Sequence, residues 1–317
     1  MGYMLNGTWR TGAPGFADSD GEFKRKASNF RSWVTADGRA GPTGEGGFKA
    51  EPGRFHLYVA LACPWAHRAL IMRRLKGLED MVGLSVVHWH MGEDGWTFED
   101  GPGVIPDMIK HARFLREVYQ AADPDYTGRV TVPVLWDKER GTIVNNESAE
   151  VIRMLGCAFD EAGAEAGDYR PEALREEIDA VNARIYDTVN NGVYKAGFAG
   201  HQRAYEAAVT ELFASLDWLE GRLEGKDYLV GDRLTEADIR LFTTLVRFDP
   251  VYHGHFKCNV RRIVDYPNLW RYLKALYAAD GFGDTTNHFH IKQHYYTSHP
   301  SINPTGIVPL GPDIDYS

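Results

Sequence analysis

The chain has 317 residues, 44% hydrophobic and 25% charged, which is enough for one large or two ordinary domains with a sizeable core. Its net charge of −9 argues against nucleic acid as the main partner, because phosphate binding needs a basic surface. The sequence has no apolar run of about 18 residues, so no membrane span is expected, and its N-terminus shows no apolar signal core. Its three cysteines are too few for a disulfide framework, so we expect a cytoplasmic protein.

The first 53 residues show no sustained periodicity, so we expect an irregular N-terminal extension, with Trp9, Phe30 and Trp33 as its anchors. From residue 54 onward the apolar pattern predicts alternating strands and helices. In chain order these are a strand over 54–62, a helix over 64–76, a strand over 84–89, a helix over 104–122, strands over 130–137 and 141–146, and a helix over 147–159. This βαβαββα order predicts a thioredoxin-like domain over 54–160.

After a polar linker the sequence is almost entirely helical in character. Apolar residues recur every three or four positions between 174 and 189 and between 212 and 223. Thr235 precedes a further helix as its N-cap, with Asp238 three residues on as in a capping box. A last helix is predicted over 268–277. The expected fold class is therefore α/β plus all-α, with a C-terminal helical domain over 170–280 and an aromatic, His-rich C-terminal extension over 281–317.

Cys63 lies where the first predicted strand meets the first predicted helix. Pro64 suits the first helical position, which does not need its missing N–H group, so Cys63 is expected at the N-cap. Unpaired backbone N–H groups and the positive end of the helix dipole favour a thiolate there. Cysteines in such positions are nucleophiles. Cys63 is therefore the candidate catalytic residue, whereas Cys157 and Cys258 are expected to be structural.

The position three residues after Cys63 is Ala66, where dithiol oxidoreductases of the thioredoxin fold carry a second cysteine. In those enzymes the second thiol resolves the mixed disulfide that forms on the first. With alanine at this place, a mixed disulfide on Cys63 must be released by an external thiol. In a reducing cytosol the simplest such thiol is glutathione.

Two short motifs further along fit a glutathione site. Val132-Pro133 precedes a strand at the place of the cis-proline in the thioredoxin fold, where the backbone can pair with an extended peptide. Glu147-Ser148 then opens a helix, whose N–H groups and serine hydroxyl suit the γ-glutamyl carboxylate. The carboxylate of Glu147 suits the ammonium group of the same ligand.

The chain resembles the glutathione transferases, and within them the xi class, the glutathionyl-hydroquinone reductases. The resemblance extends over nearly the whole chain, including both extensions. The segments that carry it are "ACPWAHR" (62–68), "GWTF" (95–98), "GRVTVPVLWDK" (128–138), "IVNNESAEVIRM" (143–154), "NNGVYKAGFA" (190–199), "LTEADIRLF" (234–242), "RFDPVYHGHFKCN" (247–259) and "HYYTSHPSINPTGIVPLGP" (294–312).

This resemblance implies the glutathione transferase fold, a homodimer, and the reduction of a glutathionyl-hydroquinone by glutathione to the hydroquinone and glutathione disulfide. It implies Cys63 as the nucleophile. The residues that it implies for glutathione binding are Trp96, Arg129, Val130, Thr131, Val132, Glu147 and Ser148. It also implies a quinol pocket with Tyr194, Tyr252 and Tyr295, where the tandem Tyr295-Tyr296 leaves an ambiguity of one position.

Phenol groups suit this reaction because the group that leaves the sulfur is a carbon atom. If the hydroquinone ring is first protonated to its keto form, the carbon can depart as an enolate. Hydrogen-bond donors at the ring oxygens stabilise that enolate, and tyrosines can serve there as acid and base.

Three other functions are alternatives to this one. The first two are enzymes of the same architecture with another electrophile, a dehydroascorbate reductase or a glutathione lyase acting on aryl ethers. The third is a non-catalytic binding protein, which the retained thiol and the Glu147-Ser148 pair argue against. No metal site is expected, because no fixed ligand spacing accompanies the histidines. Those histidines are His88, His90, His288, His290, His294 and His299.

Overall fold

The computed structural model describes residues 2–12, 20–23, 27–44 and 46–316. The chain divides into two compact units. The described residues of the first unit are 2–12, 27–44, 46–167 and 285–294. Those of the second unit are 20–23, 168–284 and 295–316.

The first unit is built on a four-stranded mixed sheet with the strand order β6 (Val82–Val86), β5 (Phe55–Val59), β7 (Val134–Asp137) and β8 (Thr142–Asn145). Strand β5 pairs in parallel with β6 and antiparallel with β7, which in turn pairs antiparallel with β8. The elements are β5 (Phe55–Val59), α1 (Pro64–Leu75), β6 (Val82–Val86), α2 (Leu115–Ala122), β7 (Val134–Asp137), β8 (Thr142–Asn145) and α3 (Ser148–Cys157). All five residues of β5 are buried, as expected for a central strand covered on both faces. The predicted βαβαββα order is confirmed.

The N-terminal extension is more regular than its sequence indicated. Strands β1 (Tyr3–Leu5) and β2 (Thr8–Arg10) form an antiparallel pair, and β3 (Trp33–Thr35) and β4 (Gly47–Lys49) form a parallel pair. The prediction of an irregular segment was wrong here because three-residue strands are too short to produce a periodic pattern. Of the expected anchors, Trp33 is buried, and Trp9 and Phe30 are half-buried.

The prediction of a helix over 104–122 was wrong in its first half, because the helix begins only at Leu115. The buried carboxylate of Asp107 accepts hydrogen bonds from the backbone N–H groups of Ile109, Lys110 and Ala112. Such local side-chain bonds compete with helical pairing. His111, with φ 53°, adds a left-handed residue that a helix does not tolerate.

Strand β6 also differs from the prediction, since it lies at 82–86 rather than at 84–89. Beyond it, the N–H group of His88 pairs with the carbonyl oxygen of Thr97 in the following loop, at 2.9 Å. The chain therefore leaves the sheet where the apolar run alone suggested that the strand continues.

The second unit is helical, with α4 (Arg175–Ile185), α5 (Gly192–Gly197), α6 (Gln202–Arg222), α7 (Glu236–Arg247) and α8 (Pro267–Ala278). The predicted capping box at the start of α7 is present, since Asp238 Oδ2 accepts the Thr235 N–H group at 2.8 Å. Two π-helical segments, Tyr186–Asn190 and Phe248–Tyr252, follow α4 and α7.

A further helix, α9 (His288–Thr297), lies in the C-terminal region, where the sequence predicted only an aromatic tail. No helix among the described residues combines the length and the apolar character needed to cross a membrane.

Candidate active site

Cys63 occupies the N-cap of α1, as the sequence predicted. Its backbone is extended (φ −77°, ψ 121°), Pro64 follows as the first helical residue, and the thiol makes no capping hydrogen bond. The first N–H groups of α1 therefore add a positive potential near the sulfur. The sulfur is half-buried and lies 3.7 Å from the carbonyl oxygen of Val132. By contrast, Cys157 is exposed, and burial raises the pKa of the Cys258 thiol, which makes Cys258 a poor nucleophile.

The segment before β7 lies beside this cysteine. The Val132–Pro133 peptide bond is cis, as expected at this place in a thioredoxin-like domain. The hydroxyl of Tyr119 donates to the carbonyl oxygen of Thr131 at 2.8 Å and accepts from the Thr131 N–H group at 3.2 Å. The N–H group of Val132, in contrast, has no hydrogen-bond partner within the described part of the chain. One backbone donor next to the thiol is therefore open to a ligand.

Helix α3 begins directly after β8 with the Glu147-Ser148 pair. Glu147 is its N-cap, and its carboxylate accepts hydrogen bonds from the Ala149 N–H group at 3.3 Å and the Ser28 hydroxyl at 3.1 Å. Ser148 is only 3% exposed, and its hydroxyl has no partner among the residues that the structure describes. A buried hydroxyl without a partner is costly unless a ligand or water satisfies it. Ser148 therefore marks a binding position.

The other residues predicted to bind glutathione lie on the loops of the same unit. Trp96 follows β6 and is 6% exposed, with its indole stacked on the imidazole of His294. Arg129 is exposed, and its carbonyl oxygen accepts a hydrogen bond from the Tyr126 hydroxyl at 2.9 Å. Val130 is half-buried.

The three predicted tyrosines meet in the second unit. The hydroxyl of Tyr295 lies 2.6 Å from that of Tyr194 and 2.9 Å from that of Tyr252. Tyr252 and Tyr295 are fully buried, whereas Tyr194 is partly exposed. The three phenols therefore form a hydrogen-bonded cluster in which the Tyr295 hydroxyl contacts both of the others, and Tyr194 is the member with accessible surface. The tandem partner Tyr296 instead donates to the carbonyl oxygen of Pro250 at 3.3 Å.

Local irregularity in the helices accompanies this cluster. Tyr252 is the last residue of one π-helical segment, and α5, which carries Tyr194, begins two residues after the other. Each such segment changes the angular phase of the side chains that follow, and π segments are frequent at functional sites. On α5, Gly197 lets the ring of Phe256 approach closely, because a Cβ atom there would lie 2.2 Å from a ring carbon.

Burial controls the protonation of the phenol cluster. Burial raises the pKa values of Tyr252 and Tyr295 well above the ordinary value, and the neighbouring Tyr194 adds to both shifts. The guanidinium group of Arg247 opposes the shift in both cases. Both phenols therefore keep their protons at neutral pH. Hydrogen-bonded hydroxyl groups polarise one another, so Tyr252 and Tyr295 can strengthen the hydrogen bond that Tyr194 donates.

His294 and His299, which are among the six histidines considered as metal ligands, have hydrogen-bond partners in the structure. His255 Nε2 and His299 Nδ1 lie 3.1 Å apart within the second unit, and His294 Nδ1 lies 2.8 Å from the carbonyl oxygen of Trp89 within the first. In the described ranges, no group of three or more His, Cys, Asp or Glu side chains could hold a metal ion.

The chain matches two family models, the glutathione S-transferase N-terminal domain over residues 62–157 and the C-terminal domain over residues 202–275. It is 57% identical to the glutathionyl-hydroquinone reductase PcpF of Sphingobium chlorophenolicum, covering 98% of this chain and 96% of that protein. The glutathione-bound structure of YqjG from Escherichia coli K-12 is 55% identical with a TM-score of 0.92, covering 99% of this chain and 97% of the other. A Xi class transferase from Natrialba magadii is 50% identical, also with a TM-score of 0.92, covering 100% and 94%.

The chain belongs to the glutathione S-transferase family, in its Xi class. The fold predicted for this Xi-class transferase, a thioredoxin-like domain followed by a helical one, is confirmed.

Sequence reasoning missed several residues that shape the site of this Xi-class transferase. Tyr119 connects two parts of the site, since its hydroxyl contacts Thr131 and also accepts from Asn146 Nδ2 at 3.2 Å. Asn145 Oδ1 accepts the Glu147 N–H group at 2.7 Å and so orients the start of α3. The repeated asparagine in "IVNNES" was the available signal, whereas nothing in the sequence distinguished Tyr119 from the other tyrosines.

Proposed function

We propose that this chain is a glutathionyl-hydroquinone reductase, which uses glutathione to reduce glutathionyl-hydroquinones to hydroquinones. The observation that carries the proposal is the Cys63 thiol at a helix N-terminus, with Ala66 instead of a second thiol, next to the backbone of Val132. The names of its relatives support the same reaction. We further propose that it acts in the cytoplasm as a homodimer. Its proposed domains are an N-terminal extension (1–53), a thioredoxin-like domain (54–160), a helical domain (170–280) and a C-terminal extension (281–317).

The glutathione site of this proposal is assembled from the first unit. The Ser148 hydroxyl and the N–H groups at the start of α3 bind the γ-glutamyl carboxylate, and Glu147 binds the ammonium group. The N–H and carbonyl groups of Val132 pair with the cysteinyl part of the peptide. Trp96, Arg129, Val130 and Thr131 complete the site. Neither the Ser148 hydroxyl nor the Val132 N–H group has a partner among the described residues, and this supports the assignment because each gains a partner when the ligand binds.

The reaction has two covalent steps. In the first, the Cys63 thiolate attacks the sulfur of the conjugate, and the carbon–sulfur bond breaks with its electron pair going to the ring. The ring carbon is protonated before the bond breaks, so the ring leaves as an enolate, and a proton delivered to the enolate oxygen gives the hydroquinone. Cys63 is left as a mixed disulfide with glutathione. In the second, a glutathione thiolate attacks that disulfide, which releases the Cys63 thiolate and glutathione disulfide. The second glutathione supplies the net proton and the reducing electrons.

The proposal assigns the ring oxygens of the substrate to Tyr194, Tyr252 and Tyr295. Tyr194 is the partly exposed member of the three, so we assign to it the hydrogen bond to the developing enolate. Tyr295 and Tyr252 stand behind it in the hydrogen-bonded cluster and keep their protons because they are buried. A donor polarised in this way stabilises negative charge better than an isolated phenol.

Assays with three substrates, a glutathionyl-hydroquinone, dehydroascorbate and an aryl ether, separate this function from the alternatives. The protein is mixed with glutathione and a glutathionyl-hydroquinone, and the hydroquinone and glutathione disulfide are quantified together. Equal amounts of both products are expected. Glutathione disulfide formed only with dehydroascorbate would indicate a dehydroascorbate reductase, and turnover of an aryl ether alone would indicate a lyase. Tight glutathione binding without turnover of any of the three would indicate a binding protein.

A further inference from the structure

Trp96 lies on a loop whose shape is set by contacts from outside the loop. We call residues 88–98 the Trp96 loop. Its ends are joined by the hydrogen bond from the His88 N–H group to the Thr97 carbonyl oxygen. Gly95 precedes Trp96 with φ +74°, and a Cβ atom there would lie 2.8 Å from the ring of Trp9. The indole of Trp9 donates to the carbonyl oxygen of Glu93 at 3.0 Å. The N-terminal extension therefore supports one part of the loop.

His294, on α9, contacts the Trp96 loop at two points. Its Nδ1 atom lies 2.8 Å from the carbonyl oxygen of Trp89. A carbonyl oxygen only accepts, so Nδ1 carries the proton and the ring orientation is fixed. The face of the same imidazole stacks on the indole of Trp96, with ring centroids 4.9 Å apart and an angle of 25° between the planes. The imidazole is 7% exposed, so it is packed against the loop rather than mobile in solvent.

The segment that carries His294 is itself anchored in the first unit. Thr285 Oγ1 lies 2.9 Å from Nε2 of His67, which is on α1 one turn after Cys63. Nε2 of His290 donates to the carbonyl oxygen of Pro102 at 2.6 Å. Three histidines thus tie residues 285–294 to the chain around the candidate site. The imidazole of His294 belongs to this anchored segment and is therefore a rigid support for Trp96.

We propose that His294 is a positioning residue for glutathione. Its imidazole holds the indole of Trp96 in the orientation that binds the tripeptide, and its bond to Trp89 fixes the imidazole. This inference rests on the proposed function, because it takes Trp96 as a residue that contacts glutathione. His294 acts through Trp96 and takes no part in the covalent steps. The C-terminal extension thereby contributes to glutathione affinity through a residue that does not touch the ligand.

Two substitutions separate the two contacts of His294. His294→Asn keeps a nitrogen donor at the place of Nδ1 and removes the stacked ring face. His294→Phe keeps the face and removes the donor. Calorimetric titration with glutathione is expected to show about tenfold weaker binding for His294→Asn, and roughly two- to fivefold weaker binding for His294→Phe. His111→Asn is the matched control, because it makes the same change at an exposed position with φ 53°, which asparagine adopts readily.

The decisive measurement is a double-mutant cycle with Trp96→Ala. If His294 acts through Trp96, His294→Asn should weaken glutathione binding by less than about twofold once the indole is gone. An equal loss in both backgrounds would overturn the inference, as would unchanged affinity in a folded His294→Asn protein. If the parent protein turns over glutathionyl-hydroquinone but the two substitutions weaken glutathione binding independently, only the positioning role is refuted. A parent that does not bind glutathione would refute both the role and the proposed function.

Discussion

The phenol oxygens of Tyr194 and Tyr295 lie 2.6 Å apart, although 101 positions separate the two residues in the chain. Tyr295 also contacts the hydroxyl of Tyr252, and with its single proton it can donate to at most one of these two neighbours. With Tyr252 and Tyr295 both protonated at neutral pH, the three hydrogen-bonded phenols leave one O–H group, that of Tyr194, to donate to a ligand. The function of Tyr194 should therefore depend on the two residues behind it.

Tyr194→Phe should slow the reduction of a glutathionyl-hydroquinone by at least about tenfold, mainly in kcat, because the lost hydrogen bond forms in the transition state. Modification of Cys63 by a small disulfide should barely change, since a sulfur leaving group needs no donor at a ring oxygen. Tyr252→Phe and Tyr295→Phe should have the same pattern with smaller losses. Rates of both reactions, measured on each variant, provide the check.

Tyr205→Phe is the control for this series, because the Tyr205 hydroxyl donates to the carbonyl oxygen of Lys257, outside the cluster. Equal losses in both reactions for Tyr194→Phe would assign the phenol to thiolate activation or to the fold. No loss in either reaction would remove Tyr194 from the mechanism.

Ser148→Ala should leave thermal stability unchanged or slightly raised, because the buried hydroxyl has no partner among the described residues to lose. Its dissociation constant for glutathione should rise by about 10- to 100-fold, which is the typical value of a hydrogen bond to a charged group. Thermal unfolding and calorimetric titration measure the two effects separately.

Ser85→Ala is the contrasting variant, since that buried hydroxyl contacts His56 Nε2 at 2.8 Å and donates to the Pro106 carbonyl oxygen at 3.0 Å. It should lose stability by about 1–3 kcal/mol while binding glutathione normally. A destabilised Ser148→Ala protein with normal glutathione affinity would refute the assignment of Ser148.

Cys63→Ser should fold normally and lose the reductase activity, because a serine hydroxyl does not form the mixed disulfide. Cys157→Ser, which changes an exposed thiol in the same unit, should retain the parent rate. Steady-state assays of both variants with one glutathionyl-hydroquinone are sufficient. Retained activity in the first variant and lost activity in the second would reverse the assignment of the nucleophile.

Ala66→Cys should give the site dithiol character, because residue 66 lies about one turn along α1 from Cys63. The new thiol should displace glutathione from the mixed disulfide and leave an internal disulfide, which intact-protein mass spectrometry detects. Ala66 is fully buried, so the larger side chain should also cost about 1–3 kcal/mol of stability. Ala66→Ser controls for the added volume. A glutathione adduct as abundant as in the parent would contradict the prediction.

His56 provides a pH-dependent prediction in the first unit. Burial lowers its pKa to about 4, because the charged imidazole is poorly solvated there. Unfolded histidine binds a proton near pH 6.5, so the unfolded state gains protons first and stability falls as the pH drops from about 6.5 to 4. His56→Gln keeps a donor for Ser85 and removes the titration. Relative to the parent, it should gain on the order of 3 kcal/mol between pH 7 and pH 4.

Urea unfolding at several pH values tests this prediction, with the exposed His111→Gln as control. A parent and a His56→Gln protein with parallel stability profiles would show that another group dominates the acid response.

The sequence by itself determined the features that depend on local chemistry. The Cys63-Pro64 pair specified a thiol at a helix N-terminus, and Thr235 with Asp238 specified the start of α7, because capping involves only a few adjacent residues. The order of strands and helices followed from hydrophobic periodicity. The choice of Tyr194, Tyr252 and Tyr295 came from family resemblance and not from any physical pattern.

Only the tertiary structure decided which distant groups meet and which buried groups lack partners. The bridging position of Tyr295 and the stacking of His294 on Trp96 depend on contacts between segments far apart in the chain. The hydroxyl of Ser148 depends on the absence of such a contact within the part of the chain that the structure describes. The tertiary structure also decided the late start of α2. Once the fold buries the carboxylate of Asp107, it accepts hydrogen bonds from backbone N–H groups that would otherwise form helical hydrogen bonds. Local propensity does not encode such contacts, since their energies arise only when packing removes the groups from water.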